Sequence, residues 1–259
     1  MRAAEILEKL TESDSALEYD LPDHGEGEWL TTSKLVDRWP EIVDRYQGYL
    51  QTKTADPAAA CAAQHYAGRW IPVVLAFWWK SGRVPNLDRG IWLANIDARG
   101  ATLSVQCSTP EFSDSQSVPE LLDALVAHLQ PLAEGSLLLS NLKEDVVWGS
   151  MAASLAGGLA MIVRSMPREA RPEAARTAKQ ILRTESSLTK ASDWLIEPNP
   201  VMATDGLRLS YLRTTCCLIH LGLSRCEQCP KRPAEEARSH SIEAAKSASR
   251  TVPNLTNDN

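Results

Sequence analysis

Four cysteines, Cys216, Cys217, Cys226 and Cys229, fall within fourteen residues of a 259-residue chain. Thiolates at that density suit soft metals. Cys226 and Cys229 form a Cys-x-x-Cys pair whose thiolates can converge on one metal, and Pro230 follows directly, as in ferredoxin-type ligand runs. Cys216 and Cys217 are adjacent, and adjacent side chains diverge on most backbones. Structural zinc takes four cysteines as two spaced knuckles on one tetrahedral ion, which an adjacent pair suits poorly. A two-iron cluster has separated coordination positions and tolerates the divergence better. Zinc is the alternative, and four unrelated buried thiols are another. The basic neighbours Arg213, Arg225, Lys231 and Arg232 would offset the negative charge of a thiolate-ligated centre. His220 lies inside the loop and is left out of the ligand set. Cys61 and Cys107 have no spaced partner and are expected to be packed, and His65 and His128 sit in helical patterns.

The elements that must position these residues are mostly helical. Apolar spacing predicts helices over 4–18 and 34–50, with a kink or break at Pro40. An Ala-rich helix over 57–68 starts at Pro57. Pro72 is expected to interrupt the next pattern before a further helix over 73–80. Ile91 to Ile96 and Ala101 to Cys107 read as a β-hairpin, with Gly100 supplying the turn. Helices are predicted over 118–133, 141–165 and 172–189, the last opened by Pro172, with a short strand or loop over 201–213. The expected class is α+β, mostly helical with one small antiparallel sheet and the cluster loop near the C-terminus. The expected divisions are an N-terminal helical region over 1–66, a central region over 67–232 ending in the cluster segment 213–232, and a tail over 233–259, disordered beyond a short helix.

Composition sets bounds on function. Hydrophobic residues make up 44% and charged residues 23%, ordinary globular values. The net charge of −6 argues against a nucleic-acid partner. Acidic residues crowd the N-terminus at Glu12, Asp14, Glu18, Asp20, Asp23, Glu26 and Glu28, where a solvated face accounts for them. Residues 1–20 lack an uninterrupted apolar stretch of the secretory type. Val146 to Val163 carries no charge, but its glycines and serines mark a core helix rather than a span. A cytoplasmic location is expected, or a peripheral one at the inner membrane.

The segment Arg213-Thr214-Thr215-Cys216-Cys217, with Cys226-Glu227-Gln228-Cys229-Pro230, resembles the ferric siderophore reductase family, the FhuF-like ferric iron reductases. Members carry a C-terminal Cys-Cys, a spacer and a Cys-x-x-Cys, often introduced by Arg and small hydroxyl residues. The spacer here, Leu218 to Arg225, is eight residues where the family has ten. Val147-Trp148-Gly149-Ser150-Met151-Ala152 resembles the family's Trp-containing helix, with Ser150 where Asn is expected. The resemblance spans about 67 to 232 and implies a [2Fe–2S] protein that reduces the iron of imported ferric siderophores, often hydroxamates, with the four cysteines as ligands. The absence of a G-x-G-x-x-G or Walker loop implies a separate electron donor, a ferredoxin or a flavin-dependent reductase. Trp78, Trp79, Lys80 and Arg83 are the candidate docking residues for the bulky, oxygen-rich chelate. Two further functions stand beside this one. They are an iron–sulfur electron carrier without a siderophore substrate, and a zinc-stabilised, siderophore-related binding module.

Overall fold

The hairpin forms as its residues dictate. Strands β2 (Trp92–Ile96) and β3 (Thr102–Cys107) pair antiparallel. In the turn between them Gly100 adopts φ +83°, a region open to glycine. The Asp97 carboxylate accepts the backbone N–H groups of Arg99 and Ala101 at 2.9 and 2.8 Å. A further strand, β1 (Glu28–Thr31), pairs with the other edge of β2. The computed structural model describes residues 27–108, 111–113, 117–190, 195–197, 202–203, 206–222 and 229–247. The helix expected over 4–18, the acidic residues before 27, Arg225, Cys226 and residues 248–259 lie outside the described residues.

The architecture is α+β, mostly helical with one small three-stranded antiparallel sheet ordered β1-β2-β3. Helices α1 (Thr32–Asp37) and α2 (Trp39–Leu50) separate at Arg38, with Pro40 in the first turn of α2. This is the break the proline predicts. Helix α3 (Asp56–Ser81) departs from expectation, because its 26 residues run through Pro72 without ending. The same helix crosses the boundary expected at 66/67, so the two regions share a core element. Tertiary burial overrides the proline here. Ile71, Pro72, Val73, Val74 and Leu75 are all buried, and Pro72 and Leu75 pack on α5 (Glu144–Ser165) at Gly158. The apolar area covered outweighs a lost helical hydrogen bond and a proline clash of about 3 kcal/mol.

Helices α3 and α5 form the centre of the core. The Ser154 hydroxyl of α5 donates to the Gln64 carbonyl of α3 at 3.1 Å. By length and composition α5 could cross a membrane, yet most of it is buried inside this fold. Helix α4 (Val118–Leu138) adds Leu121, Leu122, Leu125, Leu129 and Leu132, one apolar face at helical spacing. Helices α6 (Arg171–Arg183) and α7 (Ser187–Lys190) replace the single helix expected over 172–189. Beyond them lie short strands: β4 (Leu195–Glu197), β5 (Met202–Ala203), β6 (Gly206–Leu207) and β7 (Ser210–Leu212), paired β4-β7 and β5-β6.

The tail, expected to hold no more than a short helix, opens with the 14-residue helix α8 (Ala234–Ser247). The Ser241 hydroxyl donates to the Tyr211 carbonyl at 2.8 Å, and Arg208 donates to the Ala245 carbonyl at 2.8 Å. Two buried positions, Ala237 and Ser241, dock the helix on β7. The polar composition conceals this docking, since only a narrow stripe of α8 faces the protein.

A buried polar chain ties the sheet to the helices. His128 Nδ1–H donates to the Leu87 carbonyl at 2.7 Å, which leaves Nε2 to accept the Tyr66 hydroxyl at 2.7 Å. Tyr66 in turn meets the Thr32 hydroxyl at 2.8 Å. Burial pushes the His128 pKa down to about 3 and that of His65 down to about 4. Below about 6.5 the unfolded chain binds protons at both imidazoles while the folded chain does not. Stability is therefore full above about 6.5 and falls as the pH drops towards these folded values. The melting temperature is expected to fall by several degrees from pH 7 to pH 5, and less in His128→Asn. A flat profile over that range would contradict the assignment.

Candidate metal centre

The cysteine segment leaves β7 and runs across the α3–α5 pair. Cys217 and Cys229 are buried and Cys216 is half-buried, and none of the described cysteines is disulfide-bonded. Helix α3 fixes the start of the segment through two side chains one turn apart. The Cys61 thiol donates to the Cys217 carbonyl at 3.4 Å, and Gln64 Oε1 accepts from Arg213 Nη1 at 2.9 Å. Cys61 is thus a buried positioning residue, as its lack of a spaced partner predicts, and Cys107 is buried in β3.

Helix α5 supplies the floor. A Cβ at Gly149 would lie 2.7 Å from Thr215 Cβ and 2.8 Å from Thr215 Cγ2, distances real Cβ contacts do not adopt. The bare backbone of α5 at this turn is where Thr215 sits. Trp148 beside it is buried, and the Ser150 hydroxyl bonds back to the Val146 carbonyl at 2.8 Å. The two segments that carry the family resemblance therefore meet in space. At the far end of the loop Gly222 backs onto α2, where an added Cβ would come within 3.0 Å of Leu50 Cβ.

Between these anchors the chain turns sharply. Leu218 takes φ +62° and ψ +4°, a left-handed conformation that costs a branched side chain about 1 kcal/mol. Its backbone N–H bonds the Cys216 sulfur. A single 3₁₀ turn, Ile219–Leu221, follows and leaves Leu221 59% exposed. His220 Nδ1 lies 3.6 Å from Cys216 Sγ.

Burial pushes the pKa of the Cys216 thiol above its ordinary value. The Leu218 N–H pulls it back, the Cys217 and Cys229 thiols push it further up, and the Arg213 guanidinium lowers it. The first and second parts of the motif thus lie within electrostatic reach of each other across the loop. Mutual repulsion among thiolates is what a bound cation relieves, and metal binding deprotonates them outright.

Two polar features are incomplete. Arg213 is 5% exposed, and its Nε and Nη2 have no hydrogen-bond partner. The Thr215 hydroxyl is likewise buried without a partner. Native interiors satisfy nearly all such groups. Among the described residues no group of three His, Cys, Asp or Glu closes to metal-holding geometry, and Cys226 lies outside them. The donor chemistry fits a thiolate-ligated iron–sulfur centre, because anionic thiolate sulfur and a buried guanidinium complement each other in charge.

The candidate docking residues lie elsewhere. Trp78 and Trp79 are half-buried, packed edge to face at 5.9 Å, and Arg83 Nε donates to the Ser113 carbonyl at 2.9 Å. Trp78, Trp79 and Lys80 occupy the C-terminal end of α3, and Arg83 follows its Gly82 cap. Trp78 is seventeen residues from Cys61, and about 1.5 Å per residue puts it about 25 Å along the helix. The structure does not bring Trp78, Trp79, Lys80 and Arg83 to the cysteines. It brings Cys61, Gln64, Gly149 and Leu50 there instead, and of these only Gly149 lies in a segment that the sequence singles out. Compared with protein-family models the chain matches none, and no curated protein matches it.

Proposed function

We propose that Cys216, Cys217, Cys226 and Cys229 hold a [2Fe–2S] cluster and that the chain passes single electrons to a ferric siderophore, with a member of the ferric siderophore reductase family as the nearest description. One observation carries this reading. Cys216, which feels the charges of Cys217 and of Cys229 across the loop, follows by three residues a buried guanidinium with two unmet donors. When bound, such a cluster supplies one electron at a time at a potential set by charge, hydrogen bonds and exposure.

The chain's own residues do the rest. Leu218 bends the loop so that its N–H meets Cys216, Cys61 pins Cys217, and Gly149 admits Thr215. Cys216 is the least buried of the three described ligands, with His220 half-buried and Leu221 exposed outside it. A bulky chelate would approach on that side without entering the core. Hydroxamate oxygens hold Fe³⁺ far more tightly than Fe²⁺. One electron converts the chelated Fe³⁺ to Fe²⁺, the metal dissociates, and the freed oxygens take protons from water. The electron is replaced by a separate donor, a ferredoxin or a flavin-dependent reductase.

A single-turnover experiment tests the substrate. Dithionite-reduced protein, freed of reductant, is mixed with a ferric hydroxamate siderophore and a coloured Fe²⁺ trap. The visible bands are expected to return as Fe²⁺ appears, one per electron, while the gallium siderophore of the same shape returns nothing. Bands that return with ferricyanide and not with the ferric siderophore would leave an electron carrier.

A further inference from the structure

A guanidinium cannot escape burial by losing its proton. Each buried donor without a partner costs about 1–3 kcal/mol, and an uncompensated buried charge costs more. Arg213 combines both conditions, 5% exposed with Nε and Nη2 unmet. Its Nη1 is already committed to Gln64 at 2.9 Å, so the fork is oriented and its remaining donors face whatever lies beside the segment. Cysteine sulfur is carried by the same segment, at Cys216 three residues on and Cys217 beside it. Gln64 sits one turn from Cys61 on α3, and the Cys61 thiol holds the Cys217 carbonyl at 3.4 Å. The charge of Arg213 also acts directly on Cys216. An anion at the cysteines is the group that completes this arrangement.

We infer that Arg213 is the buried counter-cation of the cysteine-held centre, anchored through Nη1 on Gln64 and offering Nε–H and Nη2–H to its sulfur. The inference rests on the iron–sulfur reading above and adds a residue that tunes it. A positive charge and hydrogen bonds at cluster sulfur stabilise the more negative, reduced state, and so raise the midpoint potential. Gln64 acts through Arg213 and is a positioning residue.

The test compares anaerobically loaded wild type with Arg213→Lys, Arg213→Gln and Gln64→Glu. Iron and sulfide per chain, the electron paramagnetic resonance spectrum and the midpoint potential are measured for each. Arg213→Gln is expected to change the oxidation equilibrium at least about tenfold towards the oxidised state, about 59 mV for one electron. Arg213→Lys keeps the charge and loses the planar fork, so its potential falls between the two. Gln64→Glu leaves Arg213 and all cysteines in place, yet sets a carboxylate against the guanidinium. It is expected to lower the potential in the same direction, and it carries the test if Arg213→Gln does not fold. An unchanged potential in loaded Gln64→Glu or loaded Arg213→Gln overturns the inference and leaves the iron–sulfur reading standing. A wild type that takes up zinc and no sulfide overturns both.

Discussion

Replacing Cys229 with serine is expected to remove the visible chromophore and the ferric reductase rate together, while the fold survives. Cys229 is buried and introduces Arg232, whose backbone N–H donates to the Cys229 carbonyl at 3.1 Å. That backbone turn does not need the sulfur. Serine is nearly isosteric, and its hydroxyl is a poor substitute for a thiolate ligand. Loss of an outer-shell partner costs about 10–100-fold in metal affinity or activity, so loss of a ligand should exceed about 100-fold. The measurement is iron and sulfide per chain, beside a thermal melt of the metal-free protein. Cys107→Ser, in β3 among the core residues, serves as the control that keeps its colour. A coloured, active Cys229→Ser protein would remove Cys229 from the ligand set.

The second large effect is expected at Gly149, where local and tertiary preferences oppose each other. Within a helix, glycine to alanine normally gains about 1 kcal/mol. Here the new methyl would lie 2.7 Å from Thr215 Cβ, and Thr215 directly precedes Cys216. Overpacking of this kind costs about 1–3 kcal/mol. The strain falls on the cysteine segment, because α5 is locked on both sides by core packing. Gly149→Ala is therefore expected to keep wild-type helix content and to lose about tenfold in cluster occupancy, read as iron and sulfide per chain. A Gly149→Ala protein that is more stable and fully loaded would show that Thr215 moves aside freely.

Local chemistry was the legible part of this sequence. The hairpin is written in Gly100 and its β-branched flanks, and the helix starts are marked by Pro57 and Pro172. The break between α1 and α2 sits beside Pro40, as expected. Pro72 misled because its cost is local while the burial that offsets it comes from α5, more than seventy residues away. Strand β1 was missed because four residues, Glu28–Thr31, give too short a pattern, and Thr31 also caps α1. Helix α8 hides its few buried positions among charges. For the candidate site, the cysteine spacing was visible and its surroundings were not. Gln64 and Arg213 meet across 149 positions of sequence, and the clearance at Gly149 exists only in three dimensions. The tryptophan-rich end of α3 looked suited to a chelate, yet Trp78 follows Cys61 by more than four helical turns.

Anaerobic purification, followed by visible absorption before and after dithionite with iron, sulfide and zinc counted on the same sample, tests the central claim most directly. The account predicts a red-brown protein with bands between about 320 and 560 nm that bleach on reduction, with iron and sulfide in equal amounts. A colourless protein carrying stoichiometric zinc and no sulfide would contradict it, and would make the cysteine segment a structural knuckle.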